Sequence, residues 1–319
     1  MLPASVSFDP CHRVPESTVP ENILSRLSTP ARKQSSRLEQ VIDLSKVVFI
    51  SYANDAMAYS LQRIGRKARH LGIFDDVILY TPADVPSYVK ESPLFQCARG
   101  AGYWCWKPAL IHETLQRLDE GDIVVYVDAG CTLRSSSEWE LLLRLMEHYD
   151  TIGFQYAEHQ PQWERWGAGS ARIKHWTKKK TLEFVQAKFQ DKEIGELCQV
   201  MGGILFMKGK DNAVLRTWKE LIFSRPDLIE DPSAEELQDQ YPEFAGHRHD
   251  QAILTPLACK DPHTLVLPEI SEAYRPDSFV WASRIRARNV REYAAIQVKH
   301  YLRIWLGDKL FEKIKGSVK

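Results

Sequence analysis

The sequence predicts an α/β fold, a mainly parallel sheet flanked by helices. Short β-branched runs alternate with segments whose apolar residues recur every three or four positions, and Gly or Pro marks many of the joins. The run Ile123–Val127 is apolar throughout, as a buried strand is, and Asp128 stands at its end. Open α/β sheets place ligands at the carboxyl ends of their strands, so Asp128 is the first candidate functional residue.

The elements follow in order. Lys46–Tyr52 reads as a strand. A helix runs from Asn54 or Asp55 to Leu71, with Ala58, Leu61, Ile64, Ala68 and Leu71 on one face and Gly72 as its stop. Strand Val77–Tyr80 comes next, then a polar, Pro-interrupted loop over Thr81–Ala98 with room for one short helix. Helix Pro108–Leu118 opens with proline in its first turn, where no amide hydrogen is needed. Strand Ile123–Val127, helix Ser137–Glu147 and strand Thr151–Phe154 complete the regular half. Beyond it, Glu158–Trp176 is polar and aromatic, and Lys178–Phe189 is helical. Gly203–Met207 is a strand, Asn212–Phe223 a helix, Arg225–Gly246 a polar loop, Gln251–Ala258 a helix and Thr264–Leu267 a strand. Three segments result: an extended or poorly ordered Pro/Ser-rich arm over 1–45, with a short helix near Glu21–Leu27, a folded domain over 46–289, and a basic amphipathic helix over 290–319.

With 319 residues, 44% hydrophobic and 26% charged, the chain has ample core for one large domain or two small ones. Its formal net charge of zero gives no field directed at nucleic acid. The six cysteines show no zinc spacing and, without an export signal, read as reduced thiols of a cytoplasmic protein. No apolar run approaches the ~20 residues that span a bilayer, so the expected membrane contact is at most peripheral, on the inner face. Ser51–Asp55 lacks G-x-G-x-x-G, which argues against a dinucleotide site.

The densest chemistry lies in Gly100–Cys131. Tyr103, Trp104 and Trp106 can stack on a base or sugar ring, with one of the two tryptophans expected in the core, and Lys107 can neutralise phosphate. Asp128 can bind a ribose hydroxyl or a cation on a diphosphate. The plainer alternative is a strand-end Asp capping its turn, with Gly130 present for its backbone freedom. Together these residues suit a nucleoside-diphosphate sugar.

Y-W-x-W-K-P (103–108), the intervening helix and G-D-I-x-x-Y-x-D-A-G-C (121–131) resemble a family of GT-A-type glycosyltransferases of bacterial polysaccharide and lipopolysaccharide assembly. Ala68…Leu71-Gly72-Ile73-Phe74-Asp75 and R-H-D-Q (248–251) are similar too, and the resemblance spans Lys46 to Trp281. It implies a GT-A-like (Rossmann-like) sheet and transfer from a nucleoside-diphosphate sugar, foremost a UDP-sugar, to a glycan or glycolipid hydroxyl. Donor binding then falls to Asp128, Lys107, Trp106, Tyr103, Gly130 and Arg284. The family's D-x-D pattern is broken, since Gly130 stands where the second acid holds Mn²⁺ or Mg²⁺. Either Asp128 holds the cation with a later residue such as His249, or Lys107 and arginines replace it.

Asp250 is the candidate for chemistry, as acid/base group or as stabiliser of an oxocarbenium-like state; the plainer reading is an N-cap. Gly202 and Gly203 permit close approach at a second strand end, where the resemblance implies the donor–acceptor junction. Glu158 and His159, with Trp163, Lys174 and Trp176 nearby, suit an acceptor sugar. Arg284, Arg286, Arg288 and Arg291 lead into the final helix, whose Tyr301, Leu302, Trp305, Leu306, Leu310, Phe311 and Ile314 oppose basic residues. That pattern suits either an anionic membrane surface near a lipid-linked acceptor or packing on the chain's own domain. Two alternatives to transfer stand: a binding protein of the same fold without turnover and, well below it, a methyltransferase.

Overall fold

The computed structural model describes residues 45–272 and 274–306. Six strands form one sheet in the order β2-β1-β3-β6-β5-β7: β1 (Val47–Tyr52), β2 (Asp76–Tyr80), β3 (Ile123–Val127), β5 (Thr151–Gln155), β6 (Ile204–Lys208) and β7 (Thr264–Pro268). The pairs β1–β2, β1–β3 and β5–β7 are parallel, and β6 runs antiparallel to both β3 and β5. The α/β sheet is thus the one expected, with a single reversed strand. Sequence gives no sign of that reversal, because β6 is as apolar as its neighbours.

The uniform apolarity of β3 has a direct cause. Val124 and Tyr126 point into one core with Ile50, Trp106 and Leu205, while Ile123, Val125 and Val127 point into another with Phe49, Ile64 and Phe206. A central strand covered on both faces has no solvent side, so the polar half of the strand alternation disappears.

The main helices supply the covers. α1 (Ala58–Leu71) buries Leu61, Ile64 and Ala68 and ends at Gly72. α2 (Trp106–Gln116) starts two residues earlier than expected, with Pro108 still inside the first turn. α3 (Glu138–Leu145), α4 (Lys179–Phe189), α5 (Ala213–Ser224), α6 (Asp250–Lys260) and α7 (Val290–Leu306) follow. Asn212 caps α5, its side-chain oxygen accepting from Leu215 N at 2.9 Å. The two polar stretches are not plain loops. Short helices occur at Pro161–Trp166, Ile173–Trp176 and Ala234–Gln238, the last opened by a Ser233/Glu236 capping box.

Sequence patterning missed a second, two-stranded sheet of β4 (Thr132–Leu133) and β8 (Val280–Trp281), each strand too short to show a period. It folds the C-terminal segment back across the loop after β3, where Ile285 N donates to Gly130 O at 2.9 Å. Ser60 of α1 fixes the same segment: its hydroxyl donates to Ile285 O at 2.9 Å and accepts from Ala287 N at 2.9 Å. The start of α7 packs on α1 through Tyr293 and Tyr59, 5.3 Å apart. Leu310, Phe311 and Ile314 lie outside the described residues, as do residues 1–44 of the arm with the Glu21–Leu27 helix. Among the described residues no helix is long and apolar enough to cross a membrane.

Ser60→Ala leaves the buried Ala287 amide without its acceptor. The expected loss is about 1–3 kcal/mol of unfolding free energy, read from urea denaturation.

Candidate active site

The chain passes from β1 to β2 on one side, then crosses to β3 on the other. The topological switch point therefore lies between the carboxyl ends of β1 and β3, where open α/β sheets form a ligand crevice. Asp128 stands there. Its amide donates to Gly203 O at 2.9 Å, and its side chain is 42% exposed. Tyr126, two residues earlier on the same face, donates its hydroxyl to Asp128 Oδ1.

Behind Asp128 lies a buried ammonium. The first turn of α2 carries Lys107 inward, and only 2% of its side chain is exposed. Its Nζ donates to Gly202 O at 2.7 Å and lies 3.4 Å from Asp250 Oδ2 and 3.7 Å from Asp128 Oδ1. The rings of Tyr126 and Trp106 lie 5.2 and 5.8 Å away, so the cation also faces two π-systems. The two glycines make the assembly possible. A Cβ on Gly203 would stand 2.8 Å from Asp128 Oδ2, and one on Gly202 3.3 Å from Asp250 Oδ2.

Burial pulls the Lys107 ammonium toward neutrality, but Asp128 and Asp250 outweigh it and hold its pKa above the ordinary lysine value. For Asp250 burial wins: its carboxyl is pushed up to about 6 despite Lys107. Burial, then the Asp128 charge, raises the Tyr126 phenol well above its usual value, so it remains a donor. Losing one partner of such a buried pair costs about 3–5 kcal/mol, because the other charge is stranded.

Asp250 is the first residue of α6 and not its N-cap. The cap position belongs to His249, which makes no side-chain cap bond. The H-R-H-D run acts as a clamp. His247 Nε2 meets Leu228 O at 2.9 Å and His249 Nδ1 meets Ile229 O at 2.7 Å, so two histidines grip consecutive carbonyls and set the start of α6. Burial lowers both pKa values, to about 4 for His249, and both rings are neutral. The His249 ring stacks on Tyr103 at a centroid distance of 4.9 Å, and Tyr103 OH donates to Asp231 Oδ2 at 3.2 Å.

The loop before α2 is wound left-handed: Gly100, Ala101, Gly102, Tyr103 and Trp104 all have positive φ. For the three non-glycine residues this conformation costs roughly 1–2 kcal/mol each. Packing enforces it. Gly102 sits where a Cβ would be 2.7 Å from Phe95 Cα, and Trp106 Nε1 donates to Gly100 O at 3.0 Å.

Several expected site residues take other places. Trp106 is the core tryptophan, buried and packed at a tilt on Tyr52 with centroids 3.9 Å apart. Lys107 is sealed beneath Asp128, since its charge is already matched by two carboxylates. Tyr103 packs on His249. Gly130 lies against the returning chain, where a Cβ would be 3.4 Å from Arg284 Cα. Arg284 is half-exposed and forms a two-pronged pair with Glu272. Glu158 pairs with Arg172 at 2.7 Å, whereas the His159 side chain is 77% exposed. Trp163 and Trp176 are buried, and Lys174 pairs with Glu196 at 2.6 Å.

Of the tentative metal pair, Asp128 is half-exposed and His249 is buried. His249 Nδ1 is taken by a backbone carbonyl, and its ring is covered by Tyr103 and Trp104. Among the described residues no group of three or more His, Cys, Asp or Glu could hold a metal ion. Sequence reading missed Tyr126, although its i−2 spacing from Asp128 on one strand face was a usable signal. It also missed Asp231, for which no local signal exists.

No family model matches the chain, and no curated protein matches it. Solved structures are similar at low identity. Mouse xyloside xylosyltransferase 1, apo form, is 13% identical over 70% of this chain and 84% of its own, with a TM-score of 0.35. A glycosyltransferase involved in glycosylation of the major capsid of PBCV-1 is 9% identical over 78% and 99%, with a TM-score of 0.41. Mannosyl-3-phosphoglycerate synthase from Rubrobacter xylanophilus is 13% identical over 68% and 74%, with a TM-score of 0.32.

Asp250 binds its proton more tightly folded, at about 6, than at its ordinary 3.8. Its contribution is complete below about pH 4 and lost as pH rises through about 6. Against Asp250→Asn, which does not titrate, the wild type should lose up to about 3 kcal/mol of relative stability between those limits. Urea midpoints of both proteins across that range measure it, and a pH-independent difference contradicts the burial.

Proposed function

We propose that this chain is a glycosyltransferase with a GT-A-like sheet. It moves one sugar from a nucleoside-diphosphate sugar, a UDP-sugar foremost, to a hydroxyl of a glycan or lipid-linked acceptor. One observation carries the reading: a half-exposed carboxylate, Asp128, stands in the switch-point crevice and is held there by Tyr126 and Lys107. In the reaction the bond between the anomeric carbon and the diphosphate oxygen breaks, a bond to the acceptor oxygen forms, and the acceptor hydroxyl's proton passes to solvent.

Asp128 is assigned to the donor, accepting hydrogen bonds from its ribose hydroxyls. Arg284, lying against Gly130, is assigned to the charge that develops on the leaving diphosphate, exchanging Glu272 for phosphate oxygens. The Gly202–Gly203 edge is assigned to the donor–acceptor junction, and exposed His159 to the acceptor side. A divalent cation, Mn²⁺ or Mg²⁺, would supply further charge neutralisation at the diphosphate, with Asp128 the one carboxylate of the described cluster open to it.

We also propose peripheral contact with an anionic membrane on the cytoplasmic side. Its support is the alternation of exposed Arg286 and Arg288 with buried Ile285 and Ala287. A second reading, a nucleotide-sugar-binding protein without turnover, is favoured by the sealing of Asp250 and by Gly130 in place of a second acid.

A thermal-shift screen of UDP-, GDP-, CMP- and dTDP-sugars, with and without Mn²⁺, should raise the melting temperature with one donor class, because a ligand of the native state stabilises it. Asp128→Ala should abolish that shift; an undiminished shift removes Asp128 from the donor site. Acceptor-dependent release of the nucleoside diphosphate separates transfer from binding alone.

A further inference from the structure

We infer that Lys107 and Asp250 are positioning residues that do not touch the donor but hold the Asp128 carboxylate and the Gly202–Gly203 edge as one unit. The inference rests on Asp128 being the donor-facing group proposed above.

The geometry separates the three charged groups by access. Lys107 cannot meet a ligand without leaving its seat. An ammonium has three N–H donors, and Gly202 O at 2.7 Å, Asp250 Oδ2 at 3.4 Å and Asp128 Oδ1 at 3.7 Å surround it. Asp250 is closed in as well, with 4% of its side chain exposed and Gly202 so near that a Cβ there would stand 3.3 Å from Oδ2. Contact between Asp250 and reacting atoms would require the Gly202 edge to move. Asp128 differs: it is 42% exposed, and its Oδ1 is already held by the Tyr126 hydroxyl.

Four chain segments therefore meet at one ammonium: the first turn of α2, the end of β3, the edge before β6, and the start of α6. Two of them also bind each other directly, through the Asp128 amide on Gly203 O, and the start of α6 is tied to α5 by Trp218 Nε1, which donates to Asp250 O at 3.1 Å. A carboxylate anchored through one oxygen and the backbone meets a pair of ribose hydroxyls without first losing rotamer freedom, which is how preorganisation raises affinity.

The test replaces the pair together, Lys107→Met with Asp250→Leu, because removing one partner alone strands a buried charge and can unfold the chain. The double variant should stay folded, with a melting temperature within a few degrees of wild type. Its affinity for UDP and for the UDP-sugar found to bind should fall at least ~tenfold. Donor KM should rise while acceptor KM holds. Hydrogen exchange of the Asp128 amide should quicken at least ~tenfold relative to Val125, with no donor present.

A folded double variant with wild-type donor affinity and wild-type exchange reduces the pair to packing and overturns the inference. A collapse in kcat with donor affinity intact overturns it differently, by placing Asp250 on the reacting atoms. Failure of the underlying donor reading looks different again. Asp128→Asn would then bind UDP as wild type does, while the exchange readout of the double variant still decides whether the pair holds Asp128.

Discussion

The buried ammonium of Lys107 is the constraint on which the site depends. An isolated cation in an apolar core is expensive, and this one is compatible with folding only because two carboxylates and a carbonyl surround it. Those partners come from distant parts of the chain. The unit they form carries a surplus negative charge when all three groups are ionised, and that surplus resides at Asp128, the member that reaches solvent. Function is proposed at Asp128, the member of this three-charge cluster that reaches solvent.

Several oddities of the surroundings make sense as supports for this arrangement. The left-handed turn at Gly100–Trp104 delivers α2 at the angle that sends Lys107 inward, and its Tyr103 closes over His249. His249, itself at φ 48°, and His247 spend their ring nitrogens on the Leu228 and Ile229 carbonyls. Strain and buried polar groups thus cluster on the two segments that hold the ends of the Lys107–Asp250 pair, a distribution common near functional sites.

The fold was largely legible. β3 was placed to the residue, α1 and β5 nearly so, because period and punctuation are local properties. What escaped was long-range: the reversal of β6 and the β4–β8 pairing, whose partners lie about 150 residues apart. For the site, residue types were legible and orientations were not. A lysine in an aromatic loop reads equally well as a phosphate ligand or as a buried counter-ion. The choice depends on which way the first turn of α2 faces.

By itself the sequence determined that an acid ends a buried strand in an α/β sheet, with a lysine-bearing aromatic loop before it and an H-R-H-D run after. These follow from adjacency along the chain, where chemistry and secondary structure are written together. Only the tertiary structure decided that Asp128 faces solvent while Lys107 and Asp250 are sealed, that Trp106 is core, and that the histidines clamp a loop. Burial is set by what packs on top of a residue. Here the covers are Gly202, Tyr126 and Trp106, and the partners are brought in by the crossing of strands and helices far apart in sequence.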